Sequence, residues 1–213
     1  MGKNYRYPPN RLFRAKASRQ PRLAVTVFCE GTRTEPAYIR AFASEHGNML
    51  VDVHIGDTFG TPITLVDAAV EFRRRRRRRQ KDSFEKNDQV WIACDCDQHP
   101  QLKRAFDKAR ANDIGVAFSN PCVEVWAYLH FSDHDKPLGR HEMQKQLSMT
   151  MPAYDRDNNK EFDYEQMKDG YHDAVRRAER MEQRRLEQRD PLGNPYTSFY
   201  KLTRLIYENG KKL

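Results

Sequence analysis

"LAVTVFCEGTRTEPAYIRAF", residues 23 to 42, decides how the rest of the chain is read. The run LAVTVFC, 23 to 29, is apolar or β-forming throughout, as expected of a strand covered on both faces. It stops at Glu30 and Gly31. Thr34, Glu35 and Pro36 then open a helix, with Thr34 as its N-cap and Pro36 in the first turn. Tyr38, Ile39 and Phe42 recur at helical spacing and make its buried stripe. A buried strand that ends on a carboxylate, rather than on another Val or Ile, needs a physical reason.

Moving outward, the strand-then-helix unit repeats. LVDVHIGDT, 50 to 58, alternates as a second strand, and TPITLVDAAVEF starts a helix that runs into seven consecutive arginines, Arg73 to Arg79. QVWIACDCD, 89 to 97, is a third strand, QLKRAFDKARAND, 101 to 113, an amphipathic helix, and IGVAFSN, 114 to 120, a fourth strand. This order predicts an α/β fold, a mostly parallel sheet flanked by helices. Asn120 and Pro121 read as the N-cap and first position of a buried helix, CVEVWAYLHF. After residue 132 the pattern is helical, with HEMQKQLSMTM, DYEQMKDGYHDAVRRAERMEQRRLEQR and SFYKLTRLIYENG as helices and no convincing strand. The expected organisation is a basic N-terminal arm over 1–22, an α/β domain over 23–132, and a helical extension over 133–213 packed on it.

Charge narrows the partners. Among 213 residues, 38 Lys and Arg oppose 30 Asp and Glu, a net charge of +8 that favours an anionic partner, nucleic acid first. A mean hydropathy of −0.95 is also what a heavily solvated surface gives. No apolar stretch reaches the roughly 18 residues of a membrane span, and the N-terminus has no apolar signal region, so a cytoplasmic protein without membrane contact is expected. Cys94, Cys96, Cys122 and His99 do not form a zinc knuckle, because Cys94 and Cys96 stand one residue apart inside an apolar run. With Cys29 they read as reduced core thiols.

The acids fall where an open parallel sheet collects ligands, at the carboxyl ends of its strands. Glu30 ends the first strand, while Asp95 and Asp97 end the third. Alternation along a strand turns Asp95 and Asp97 to one face and Cys94 and Cys96 to the other. Two carboxylates about 7 Å apart repel unless a cation sits between them or one holds a proton. Oxygen ligands without a His or Cys set suit Mg²⁺ or Mn²⁺. On this reading Glu30 helps to hold the metal or moves a proton; the plainer reading is that the aspartates cap the next helix and Glu30 pairs with Arg33.

In order, CEGTRTEPAYI, CDCDQ, SNPCVEVWAYLHF and NPYTSFYKL resemble the blocks of the RloB-like family, over most of residues 23 to 205. That family is similar to Toprim-fold proteins and occurs in bacterial and archaeal defence loci. The resemblance implies a Toprim-like sheet and a Mg²⁺-dependent phosphodiester site, with Glu30 as the strand-end glutamate and Asp95 and Asp97 as the D-x-D pair. It also places Glu124 in the family's N-P-x-x-E-x-W block, as a third acid or as a helix-start residue. Many Toprim proteins carry D-x-D-x-D; this chain has His99 at the last position, which departs from a full two-metal set.

Arg73, Arg74, Arg75, Arg76, Arg77, Arg78 and Arg79 cover nearly two helical turns and suit a phosphate-binding ridge or a solvated helix end. His130 and His99 are weaker proton-donor candidates. Trp91, Trp126, Tyr128 and Phe131 read as core. Tyr196, Phe199, Tyr200 and Tyr207, near Lys201 and Arg204, either pack the last helix on the sheet or cradle a strand of nucleic acid, packing being the preferred reading. The function expected is a Toprim-like metal-dependent nuclease for DNA or RNA, an antiviral defence effector whose partner, by resemblance, is an ATPase encoded nearby. The alternatives are a non-catalytic nucleic-acid-binding subunit and an effector that acts through protein contacts.

Overall fold

The computed structural model describes residues 23–48, 50–79, 88–96, 101–158 and 160–211. The basic arm over 1–22, together with Asp97 and His99, lies outside the described residues.

Strand β1, Leu23–Cys29, is followed by helix α1, Thr34–His46, then β2, Val51–Ile55, and α2, Pro62–Arg79. Next come β3, Gln89–Asp95; α3, Leu102–Ala111; β4, Gly115–Asn120; and the short α4, Glu124–Tyr128. The second half adds α5, Arg140–Thr150; α6, Tyr164–Met167; α7, Tyr171–Glu187; β5, Tyr196–Thr197; and α8, Phe199–Gly210. The strands form one sheet in the order β2-β1-β3-β4-β5, with the first four parallel and β5 antiparallel to β4. The fold is α/β, a mostly parallel five-stranded sheet flanked by helices. The chain moves outward from β1 to β2 and then crosses back to β3, so the order reverses between β1 and β3. That is where an open α/β sheet forms a crevice at its carboxyl edge.

Side-chain alternation divides the core in two. Val25, Val27, Cys29 and Ala93 face α1, α4, α5, α7 and α8, packing on Tyr38, Phe42, Trp126, Leu147 and Phe199. Phe28, Val90, Ile92 and Cys94 face α2 and α3, packing on Leu65, Ala69 and Ala105. A strand covered on both faces has no solvent side on which to place polar residues, which is why LAVTVFC reads as a continuous apolar run. Tyr196, Phe199 and Tyr200 are core residues, and Tyr207 packs against the first cluster.

Four local expectations need correction. Thr34 is the first helical residue rather than the cap, and its hydroxyl donates to the Lys160 carbonyl at 2.9 Å. Asn120 and Pro121 do not start a helix. They are joined by a cis peptide bond, Asn120 pairs in the ladder with Tyr196, and α4 begins three residues beyond Pro121, at Glu124. The second half also contains a strand, β5, whose Thr197 shares a hydroxyl hydrogen bond of 2.9 Å with Ser119. Two residues are too few to show a period, so pattern alone cannot reveal such a strand. The long helix expected from Asp163 is broken by a 3-10 turn at Lys168–Gly170. Gly170 passes the His130 carbonyl so closely that a Cβ would lie 2.2 Å from its oxygen.

Candidate active site

Glu30 leaves the end of β1, and Asp95 is the last residue of the neighbouring β3. Because β1 and β3 are paired in parallel register, with Cys29 opposite Ala93, the two strand ends arrive together. The Asp95 backbone N–H donates to Glu30 Oε2 at 3.0 Å, so one acid is fixed by the peptide of the other. Gly31 then explains the E-G pair. Its N–H donates to Glu35 Oε1 at 3.3 Å, and a Cβ there would sit 2.5 Å from Glu35 Oε2. Any larger residue would push the Glu35 carboxylate away.

Glu35, in the first turn of α1, is therefore the acid that sequence reasoning passed over. It is buried, although surface helices usually expose a first-turn glutamate. The available signal was the glutamate directly before Pro36, one turn past a strand-end acid; it reads equally well as an ordinary helix start. Glu124 is buried at the start of α4, with Oε1 accepting from Gln144 Nε2 at 3.0 Å and from the Tyr154 hydroxyl at 2.6 Å.

These carboxyls feel one another. Burial, and then the charges of Glu35 and Glu124, push the Asp95 carboxyl well above the usual carboxylate range, with Glu30 adding to the rise; Arg140 opposes it. Burial also raises Glu35, with Glu30 and Glu124 adding to the rise, while its own N–H and that of Gly31 oppose it. Burial and then Glu124 push up the Cys122 thiol and the Tyr154 hydroxyl, so both stay protonated at neutral pH. The countercharge beside Asp95 is Arg140, whose Nη2 lies 3.4 Å from Asp95 Oδ2.

The donor set is made of carboxylates at a strand-end crevice, which suits a hard divalent cation. Among the described residues no three His, Cys, Asp or Glu side chains are gathered to hold a metal ion as they stand. Of the expected ligands, Glu30 and Asp95 are brought together, and Asp97 lies outside the described residues. Buried His130 is a core residue. Its ring nitrogens lie 3.0 Å from the Trp126 carbonyl and 3.4 Å from the Tyr38 hydroxyl, and burial lowers its pKa to about 4, leaving it neutral at pH 7.

The arginine run is helical and divides by face. Arg73 pairs with Asp113, Arg75 with Glu71, and Arg76 with partly buried Asp88 at 2.7 Å. Arg74, Arg77 and Arg78 are exposed. Asp88 also accepts from the Ala24 N–H at 3.1 Å, so Arg76 ties α2 to the start of β1. A depression of about 410 Å³ near the start of β3 and β4, lined by Phe106, Arg110, Asp113, Tyr196 and Lys201, includes none of Glu30, Glu35, Asp95 and Glu124. Among the described residues no helix is long and apolar enough to cross a membrane.

No curated protein and no solved structure matches the chain. The family described as RloB-like protein matches residues 25–206, a span that includes both strand-end acids, Glu35, Glu124 and Arg140. With a match over most of its length, the chain belongs to the RloB-like family.

Proposed function

We propose that the chain is a Mg²⁺-dependent (or Mn²⁺-dependent) Toprim-like nuclease that cleaves phosphodiester bonds in DNA or RNA. On this reading it serves as an effector of antiphage defence beside an ATPase encoded nearby. The observation that carries the proposal is the meeting of Glu30 and Asp95 where the strand order reverses, with buried Glu35 and Glu124 close enough to raise Asp95. Buried acids that repel one another cost stability, so a fold that gathers them needs a ligand to offset the repulsion.

Asp95 and Glu30 would hold the cation with Asp97, the last on sequence grounds alone. A divalent ion there supplies charge stabilisation at the phosphoryl oxygens. Glu30, fixed by the Asp95 peptide, is placed to share the ion or to move a proton. Glu35, raised by burial, is suited to keep a proton beside the site. Glu124 is held in place by Gln144 and Tyr154. Arg74, Arg77 and Arg78 offer exposed charge for a phosphate backbone.

The second reading, a non-catalytic nucleic-acid-binding subunit, is favoured by Arg140, which already supplies Asp95 with a positive charge. Incubating the full chain with plasmid, single-stranded DNA and tRNA in Mg²⁺, Mn²⁺ or EDTA separates the two. Cleavage that needs metal and disappears in Asp95→Asn supports the enzyme. Salt-sensitive binding without cleavage in either metal supports the subunit.

A further inference from the structure

Residues 138 to 144, LGRHEMQ, open α5 with Arg140 and Gln144 one helical turn apart, so both side chains lie on one face. That face meets the acids at two points. Arg140 reaches Asp95 Oδ2 at 3.4 Å, and Gln144 donates to Glu124 Oε1 at 3.0 Å. The approach to α5 is fastened as well. Asn194 brackets Leu138, accepting from its N–H at 3.3 Å and donating to its carbonyl at 2.8 Å. Upstream, Asp133 and Asp135 are clamped by Arg180, Arg184 and Arg185 of α7. Arg140 is thus delivered to the cluster by a braced segment.

The guanidinium occupies the side of Asp95 where countercharge is needed, yet a third of its side chain is exposed (34%, against 11% for Asp95). Solvent therefore reaches the guanidinium, whereas it barely reaches the carboxylate beside it. Resting on the cation reading proposed above, we infer that Arg140 is the resident counter-ion of the acid cluster and competes with a divalent cation for Asp95. Once displaced, its planar fork of N–H donors matches a phosphate oxygen pair, so the same residue becomes a substrate-positioning group at the mouth of the site. Gln144 does not take part in the exchange, since it carries no charge and stays on Glu124.

The test uses thermal unfolding of the full chain at pH 8.5, where protons compete least, with and without Mn²⁺. If Arg140 and Mn²⁺ neutralise one carboxylate, their stabilising effects are less than additive. Arg140→Gln should then have a lower apo Tm than wild type and bind Mn²⁺ about tenfold more tightly, a Tm rise about 3–6 °C larger at equal Mn²⁺. An equal or smaller rise overturns the competition. Wild type alone provides a second readout. Phenylglyoxal labelling followed by peptide mapping should modify Arg140 faster with Mn²⁺ while Arg185 is unaffected, and unchanged or slower labelling of Arg140 overturns the displacement. Asp95→Asn keeps the two failures apart. If it retains the full Mn²⁺ response the cation reading itself falls, whereas loss of that response with equal shifts in wild type and Arg140→Gln sinks only the competition.

Discussion

The chain concentrates like charge in two places, and the two clusters differ in what they imply. On α2 the arginines are strung along a helix where solvent and salt screen them, and Arg73, Arg75 and Arg76 have acidic partners in the chain. At the carboxyl ends of β1 and β3, acids from β1, α1, β3 and α4 are brought close by folding, and Glu35, Asp95 and Glu124 are buried. Screened repulsion is cheap and needs no ligand. Buried repulsion is costly and persists only where something offsets it, so the quieter stretch of sequence carries the stronger case for chemistry.

The largest effect expected from breaking this contrast is at Asp95. Asp95→Asn should cut metal-dependent cleavage by about three orders of magnitude or more while leaving the apo protein as stable as wild type or more so, by up to about 1 kcal/mol. The sign follows from the raised carboxyls. Asp95 and Glu35 bind protons more tightly folded than unfolded, so their contribution is fully present below the ordinary carboxylate pKa of about 4 and is lost as pH rises through the folded values. Apo wild type should therefore lose stability from about pH 4 upward through these groups, and Asp95→Asn should flatten that slope. Glu30→Gln should lose cleavage yet keep much of its Mn²⁺ affinity. Calorimetric Mn²⁺ titration beside the cleavage assay checks both, and wild-type affinity in both variants would remove the shared site.

How much of this was readable before the fold was known follows from the same contrast. Glu30 and Asp95 stood out because each interrupts an apolar strand, and a strand's period tells where its end points. Glu35 was plain in the sequence but inconspicuous, since an acid in the first turn of a helix is ordinary. Its burial, the approach of Gly31 to its carboxylate and its effect on Asp95 mark it as part of the site. Arg140, Gln144 and Tyr154 lie far along the chain from the acids that they touch, and no local period reports a partner at that separation. The two-residue β5 escaped for a different reason, being shorter than any pattern.

Glu124 is the next largest case, because it belongs to the buried cluster yet its Oε1 accepts two hydrogen bonds. Glu124→Gln keeps an acceptor for the Tyr154 hydroxyl and should melt within a few degrees of wild type, with a larger loss in cleavage than in stability. Glu124→Ala leaves Tyr154 and Gln144 without their acceptor and should cost about 1–3 kcal/mol. A Gln variant that unfolds as readily as the Ala variant, with activity per folded molecule unchanged, would move Glu124 from the site to the scaffold.

Within the arginine run the structure splits what composition lumps together. Arg76→Ala strips the ion pair from partly buried Asp88 and should cost about 1–3 kcal/mol of stability. Replacing Arg74, Arg77 and Arg78 together by Ser should cost almost none, and should flatten the dependence of log affinity for nucleic acid on log salt by about three units, roughly 0.9 for each phosphate that is no longer neutralised. An unchanged slope in the triple variant would reduce the exposed ridge to a solvated helix end.

The smallest effect is expected at Arg75, and it calibrates the rest. Arg75 pairs with Glu71 one turn earlier on the same face, both side chains being largely exposed at 68% and 63%. Such a pair is worth about 0.3–0.5 kcal/mol at low salt and less as ionic strength rises. A double-mutant cycle over Arg75→Ala and Glu71→Ala, followed by urea unfolding in about 0.05 and 0.5 M salt, should return a coupling of that size that fades at the higher concentration. The same cycle over Asp95 and Arg140 should keep its coupling in high salt, because Asp95 is nearly withdrawn from solvent while its partner is only partly exposed. If both couplings fade alike, the carboxylates at the strand ends are screened as freely as the arginine helix, and burial no longer distinguishes one cluster from the other.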